Sequence, residues 1–134
     1  LSIDVNGFDE INKRFGHTTG DRLLRFVGEA ISSQLRKMDL ITHFGANEFN
    51  VILPTANATV TAEIVHRIKD SLIACPFEAS EQEAIKVWLN FGAATFWKDG
   101  DSADLLLRTA RRRKLQEKTG DTDHVHSFDR DYVN

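Results

Sequence analysis

The sequence has one cysteine, two prolines and no long apolar run among its 134 residues. A single cysteine, Cys75, excludes an internal disulfide and a structural zinc site built from several thiolates. Cys75 precedes Pro76 and is expected to be a small, half-buried residue rather than a reactive thiol. No stretch approaches the ~20 apolar residues needed to span a bilayer, so no membrane contact is expected of this domain. No signal peptide is visible. A reducing cytoplasm, or the cytoplasmic part of a membrane-bound protein, is the expected location. Nor is there an excess of positive charge: Lys and Arg number 17 against 20 Asp and Glu, for a net charge of −3. That balance argues against a dedicated nucleic-acid binder.

Low complexity, internal repeats and linkers are also missing. With 41% hydrophobic and 28% charged residues, the composition is that of one ordinary globular domain. The chain opens inside an apolar alternation already under way, so it is expected to be one domain cut from a longer protein.

Leu1, Ile3 and Val5 alternate with Ser2, Asp4 and Asn6, the period of a strand. A short helix is expected from Phe8 to Phe15, then a turn over Gly16–Asp21. Leu24, Val27, Ile31 and Leu35 form the stripe of a second helix, widened by Leu23, Phe26 and Ala30. Thr18 and Asp21 have the spacing of a capping box at its start. Arg36 and Lys37 suit the negative pole at its end.

Leu40 to Phe44 and Phe49 to Leu53 read as a hairpin around Gly45-Ala46-Asn47-Glu48, ended by Pro54. Ala58 to Ile73 reads as a helix with Ile64, Ile68 and Leu72 on one face. Ile85, Val87, Leu89 and Phe91 alternate as one long strand. A turn at Trp97–Gly100, a helix from Ala103 to Glu117 and a closing strand at Val125–Phe128 complete the chain. The order β-α-α-β-β-α-β-α-β implies an α/β (α+β) domain: a mixed central sheet flanked by helices, of ferredoxin-like or palm type.

Several stretches, taken together and in register, resemble the GGDEF domain of diguanylate cyclases. Asp4, Phe8, Ile11-Asn12 and Phe15-Gly16-His17-Thr18-Thr19-Gly20-Asp21 follow that family's opening pattern. Arg36-Lys37-Met38-Asp39 stands at the family's spacing before Gly45-Ala46-Asn47-Glu48-Phe49, where the signature Gly-Gly-Asp/Glu-Glu-Phe belongs. Leu89-Asn90-Phe91-Gly92 matches its Ile-Ser-Ile-Gly strand, and Leu105, Leu106 and Arg108 match its last helix. The resemblance covers residues 1–134 as a single domain. It implies a palm-type nucleotide cyclase fold in which two subunits each hold one GTP and join them into cyclic di-GMP, with two metal ions polarising the phosphates.

Carried over residue by residue, the resemblance implies a degenerate member. Asp4 matches the first-strand metal ligand, with the Val5 carbonyl beside it. Asn47 stands in place of the acidic third residue of the signature and brings no charge. Ala46 replaces a glycine where backbone and nucleotide run close. Glu48 is kept. Asp9, Glu117 and Asp121 occupy positions where the family holds triphosphate with cations, and their own chemistry reads as solvated surface charge. No catalytic residues are therefore expected, and Mg²⁺ enters only if a vestigial GTP site binds.

Asn12 and Asp21 match residues that hydrogen-bond guanine. Arg36 and Asp39, with Arg67 on the next helix, match the product-inhibition site, where arginine and aspartate read the donor and acceptor edges of guanine. Arg113 and Lys114 fall where the family has core-facing residues, an apolar one and a tyrosine. The end of the last helix is thus expected to dock loosely, with its basic run solvated. Trp88 and Trp97 are expected to pack. The five histidines show no metal spacing, and His124 and His126 are expected on an edge strand.

The expected function is a non-catalytic receptor or regulatory module for cyclic di-GMP. A dimerisation scaffold, a GTP-sensing module and a residual cyclase are the alternatives. Expected partners are cyclic di-GMP, GTP, a second copy of the chain, or neighbouring sensory or phosphodiesterase domains, and no nucleic acid.

Overall fold

The structure, a computed structural model, describes residues 1–120. The expected closing strand at Val125–Phe128, together with Asp121, His124 and His126, lies outside the described residues. The elements run β1 (Ser2–Val5), α1 (Phe8–Phe15), α2 (His17–Ser33), β2 (Leu40–Phe44), β3 (Glu48–Ile52), α3 (Ala58–Ala74), β4 (Phe77–Ser80), β5 (Glu83–Ile85), β6 (Leu89–Gly92) and α4 (Ala103–Gly120). β2, β3, β1 and β6 form one sheet in that order, and β4 and β5 form a separate hairpin. This is the expected α+β class, but among the described residues every strand pairing is antiparallel, so the central sheet is antiparallel rather than mixed.

The register of β1 divides the sheet into two chemically different faces. Ile3 lies opposite Phe49 of β3 and Phe91 of β6. Those side chains are buried in one core with Leu23, Val27 and Ile31 of α2 and Ile64, Ile68 and Leu72 of α3. Each such side chain contributes roughly 1.5–3 kcal/mol when fully buried. On the other face Ser2 lies opposite Asn50 and Gly92, and Asp4 opposite Glu48 and Asn90. α4 packs against β6 and β1 on that face. The period-2 alternation of β1 therefore places its apolar residues under α2 and α3, and its polar ones under α4.

Helix boundaries follow local chemistry. Gly16 adopts φ 92°, open to glycine, and its N–H donates to the Asn12 carbonyl to close α1. The chain turns there, so α2 already begins at His17 and no side chain caps it. Thr18 and Asp21 lie inside the first turns of α2, and the expected capping box is not formed. α3 does have a side-chain cap: Asn57 Oδ1 accepts from the Val60 N–H at 2.9 Å. Cys75, just past α3, is exposed rather than half-buried.

The expected long strand from Ile85 to Phe91 is two strands. Ile85, Val87, Leu89 and Phe91 are all buried in the core, and Asn90 and Gly92 of β6 are buried too, under α4 on the other face. The hydrogen-bonding partner changes midway, from β4 for Ile85 to β1 for Leu89 through Gly92. β4 itself, with Phe77 and Ala79 buried and Glu78 and Ser80 exposed, has too few alternations to stand out in sequence. Trp88 packs on the core as expected, but Trp97 is exposed, with its ring tilted against Phe96 at 4.9 Å.

Candidate functional site

The β2–β3 hairpin carries Gly45, Ala46 and Asn47 at its tip and Glu48 and Phe49 on β3. Gly45 takes the positive φ of the turn, at 69°. Ala46 does not, so the extra methyl is accommodated without backbone strain. The Asn47 amide nitrogen donates to the Val5 carbonyl at 3.2 Å.

Beneath this hairpin lies an ionic cluster that joins three elements. Lys114 Nζ stands 2.9 Å from Asp4 Oδ1 and 3.4 Å from Glu48 Oε1, with its side chain only 5% exposed. It donates to Ser2 Oγ at 2.7 Å, and Ser2 Oγ donates to Glu48 Oε1 at 3.2 Å. Arg111 Nε donates to the same Glu48 oxygen at 2.9 Å, its guanidinium 5.2 Å from the centre of the Phe44 ring. Burial pushes the Glu48 carboxyl up. The hydrogen bond from Arg111 and the nearby charges of Lys114 and Arg111 outweigh it and hold the group below its ordinary value.

The end of α4 is therefore tied down, not loosely docked. A lysine in a core-facing position is buried because two carboxylates meet it there. Arg113 is fixed too. It donates to the Ala93 carbonyl at 2.8 Å and forks onto Asp99 at 2.8 and 3.0 Å. Glu117 is likewise no free surface charge. It accepts from the Phe91 N–H at 2.6 Å, on the edge strand of the sheet, and from Lys69 at 3.2 Å. Asp9, in the first turn of α1, is exposed.

The Arg113 fork, with a backbone hydrogen bond from Thr95, holds the Asp99 carboxyl at about 2. That lies below the ordinary aspartate value of 3.8. The stability Asp99 contributes is thus fully present above that value and is lost as pH falls through about 2. Asp99→Asn should lower the melting temperature by a constant amount from neutral pH down to about 5, and by progressively less below about 4. Parallel melts of the two proteins across pH check this, and a gap that widens in acid would contradict it.

Of the two guanine-matching residues, Asn12 packs against Gly20, the residue before Asp21. An ideal Cβ on Gly20 would lie 1.8 Å from Asn12 Oδ1, so only glycine leaves room for the Asn12 carboxamide at the start of α2. Asn12 Oδ1 is buried and has no hydrogen-bond partner among the described residues. Asp21, one residue further along α2, lines an open cleft of about 520 Å³ with Leu24, Arg25, Ile41, His43 and Phe49. His43 stacks on Phe49 at 4.9 Å across the cleft wall.

Arg36 and Asp39 meet in the loop between α2 and β2. The Arg36 backbone N–H donates to Asp39 Oδ2 at 2.7 Å, and Arg36 Nη2 donates to Oδ1 at 2.8 Å. Arg36 Nε reaches both oxygens at 3.1 Å, and Nη2 also donates to the Pro54 carbonyl at 2.9 Å. The Asp39 side chain is fully buried and that of Arg36 is 30% exposed. The Arg36 hydrogen bonds hold the Asp39 carboxyl low, and Asp39 in turn raises the guanidinium. Arg67 reaches the same loop from α3, donating to the Gln34 carbonyl at 3.1 Å. The sequence suggested both members of the Arg36–Asp39 pair as ligand contacts. The structure turns the aspartate inward and keeps the arginine at the surface.

A family model described as "Diguanylate cyclase, GGDEF domain" matches residues 1–124. The chain belongs to the GGDEF family. This GGDEF domain is 35% identical over 119 residues to "Diguanylate cyclase DosC" of Escherichia coli K12, covering 84% of this chain and 26% of DosC. It is 32% identical over 119 residues to "Response regulator PleD" of Caulobacter vibrioides, covering 88% of this chain and 26% of PleD. The chain thus spans about a quarter of the length of these relatives. Among solved structures, the GGDEF domain of YfiN (TpbB) from Pseudomonas aeruginosa superposes with a TM-score of 0.82 at 31% identity. That match covers 89% of this chain and 69% of the other. The active GGEEF domain of a Vibrio cholerae diguanylate cyclase gives 0.78 at 26% identity, covering 90% and 75%.

Reasoning from sequence missed Lys114, Ser2 and Arg111 as parts of the site. A signal was present: Arg111, Lys114 and Glu117 recur at i, i+3, i+6 along one helix face. A charged residue in a core-facing register requires an opposite charge opposite it. Asp4 and Ser2, on one face of β1, were the available partners.

Proposed function

We propose that this GGDEF domain acts in cyclic di-GMP signalling without catalysing cyclisation, and binds cyclic di-GMP at the α2–β2 loop. The observation that carries the reading is the preset guanidinium of Arg36. Nε and Nη2 are spent on Asp39 and Pro54, while no partner is found for Nη1 among the described residues. A guanidinium held this way loses little freedom when it forks onto a guanine edge or a phosphate. Arg67, anchored on the same loop, supplies a second cation. Asp39 is the positioning residue that aims Arg36, and it meets the guanine N–H groups only if Arg36 swings off it.

Loss of catalysis is supported by the hairpin and by α4. Asn47 brings no charge, its amide is turned to the Val5 carbonyl, and Asp4 is paired with Lys114. Glu117, at a cation's position in the family, is committed to Phe91 and Lys69.

Titration calorimetry tests the reading. Cyclic di-GMP should bind the wild type, and Arg36→Ala should weaken binding by about 10- to 100-fold, the value of one lost charge-assisted contact. Absence of heat at tens of micromolar ligand would remove the receptor role. Cyclic di-GMP made from GTP and Mg²⁺ above a protein-free blank would remove the claim of inactivity.

A second reading, GTP sensing, is favoured by the unpartnered Oδ1 of Asn12 beside Gly20 and Asp21. It predicts GTP binding without turnover, lost in Asp21→Ala. Binding of neither nucleotide, with self-association or capture of a neighbouring domain, would leave the scaffold role.

A further inference from the structure

In the family resemblance, Asp4 and the Val5 carbonyl are metal ligands. The donor set in this chain does not fit a metal. Both groups already have internal partners: Lys114 Nζ at 2.9 Å from Asp4 and Asn47 Nδ2 at 3.2 Å from the Val5 carbonyl. Among the described residues no three side chains of His, Cys, Asp or Glu gather in one place.

We propose that Lys114 is a tethered cation that takes the place of a divalent metal, so that the Asp4–Glu48 pair binds no metal ion in the wild-type chain. Charge supports it. Two carboxylates, Asp4 and Glu48, face two cations, Lys114 and Arg111, and the cluster is balanced without an ion. Donor chemistry supports it too. The ammonium donates to Ser2 and is ion-paired with Asp4 and Glu48, the oxygens a hard cation would need.

The packing of the helix fixes where the lysine's backbone sits. The Lys114 backbone nitrogen rests against Gly92, where even a methyl group would come within 2.5 Å. α4 therefore cannot rotate the ammonium out of the site without lifting off β6. Magnesium demands oxygens at about 2.0–2.1 Å in a near-octahedral set. An ammonium wedged among those oxygens prevents such a set from closing.

The test uses Mn²⁺ alone, read by paramagnetic broadening of backbone amide resonances in the full chain. In the wild type, about 1 mM Mn²⁺, a concentration at which weak oxygen sites fill, should not selectively broaden Asp4, Val5, Asn47 or Glu48. In Lys114→Ala those resonances should broaden at concentrations lower by about tenfold or more, within the range that local changes at metal sites produce. The melting temperature of that variant alone should rise with added Mn²⁺. A further Asp4→Asn change should abolish both effects.

Lys114→Met, closer in volume, serves if the alanine variant does not fold. A variant that folds only with Mn²⁺ would count in favour. Selective broadening in the wild type, or none in a folded Lys114 variant, would overturn the proposal. The wild-type titration decides alone if neither variant folds. Cyclic di-GMP binding at Arg36 is measured on a different loop with a different ligand, so either idea can fail without the other.

Discussion

Replacing Gly92 with alanine should bring the domain to the edge of unfolding. Its backbone is not the obstacle. The obstacle is what lies opposite: a Cβ there would sit 1.8 Å from the Ala110 carbonyl oxygen and 2.5 Å from the Lys114 backbone nitrogen. Both are main-chain atoms of α4, so no side chain can swing aside. The helix must move as a body, taking with it Lys114 and the hydrogen bond from Phe91 to Glu117. Overpacking that displaces backbone belongs to the severe tail of substitution effects, about 4 kcal/mol or more, against a total stability of roughly 5–15 kcal/mol.

Urea denaturation should show the midpoint falling steeply, or no native baseline at all. A variant within about 0.5 kcal/mol of wild type, the range of harmless surface changes, would show that α4 and β6 are not so closely apposed. Gly28→Ala is the matched control. Its Cβ would meet only the Phe49 ring, at 3.5 Å, an ordinary contact. Within a helix that change should be neutral or stabilising by about 0.5–1 kcal/mol.

Lys114→Met should be the second most damaging change. It keeps most of the side-chain volume and removes only the charge. Asp4 and Glu48 then share a partly buried space with Arg111 as the remaining cation, on Glu48. Removing one member of a buried ion pair typically costs about 3–5 kcal/mol, and the part-exposure of the carboxylates places this case at the lower end. The loss should depend on pH. In the wild type the Glu48 carboxyl is held below its ordinary value of 4.5. Its contribution is therefore present above that value and fades as pH falls through the lowered one. The variant lacks the Lys114 part of that contribution. The gap between the two proteins should be widest near neutrality and narrow in acid. Adding Asp4→Asn to the variant should restore part of the stability, and failure to do so would show that the ammonium acts through packing alone.

These two predictions rest on residues that the sequence renders very unequally. Gly92 was visible as the end of a strand motif, but the helix backbone against it was not. The stripes of α2 and α3 were legible because one face of each helix meets the core, and local periodicity records that. The Arg36–Asp39 pair was legible for the same reason: its partners are three residues apart. Asp39's inward turn was not, since it depends on Arg36 also reaching Pro54. The break between β5 and β6 was invisible because side-chain alternation continues unbroken while the hydrogen-bonding partner changes. Lys114 was misread because a local pattern sees a charge in a core register and cannot see the two carboxylates on distant strands that make burial favourable.

The hydrogen bond from Lys114 to Ser2 joins positions 112 residues apart. β1, the first strand of the chain, lies between β3 and β6 at the middle of its sheet. Contacts this remote in sequence require closure of a very large loop before they return any stabilisation, so they form after the local ones. A chain emerging from the ribosome would hold β1 unpaired on its β6 side until most of the domain had been made. It would hold Asp4 without its lysine until later still. The acidic pair and α4 are thus completed in the same late step. Any truncation that removes α4 should leave the polar sheet face uncovered and two uncompensated carboxylates, rather than a smaller stable core.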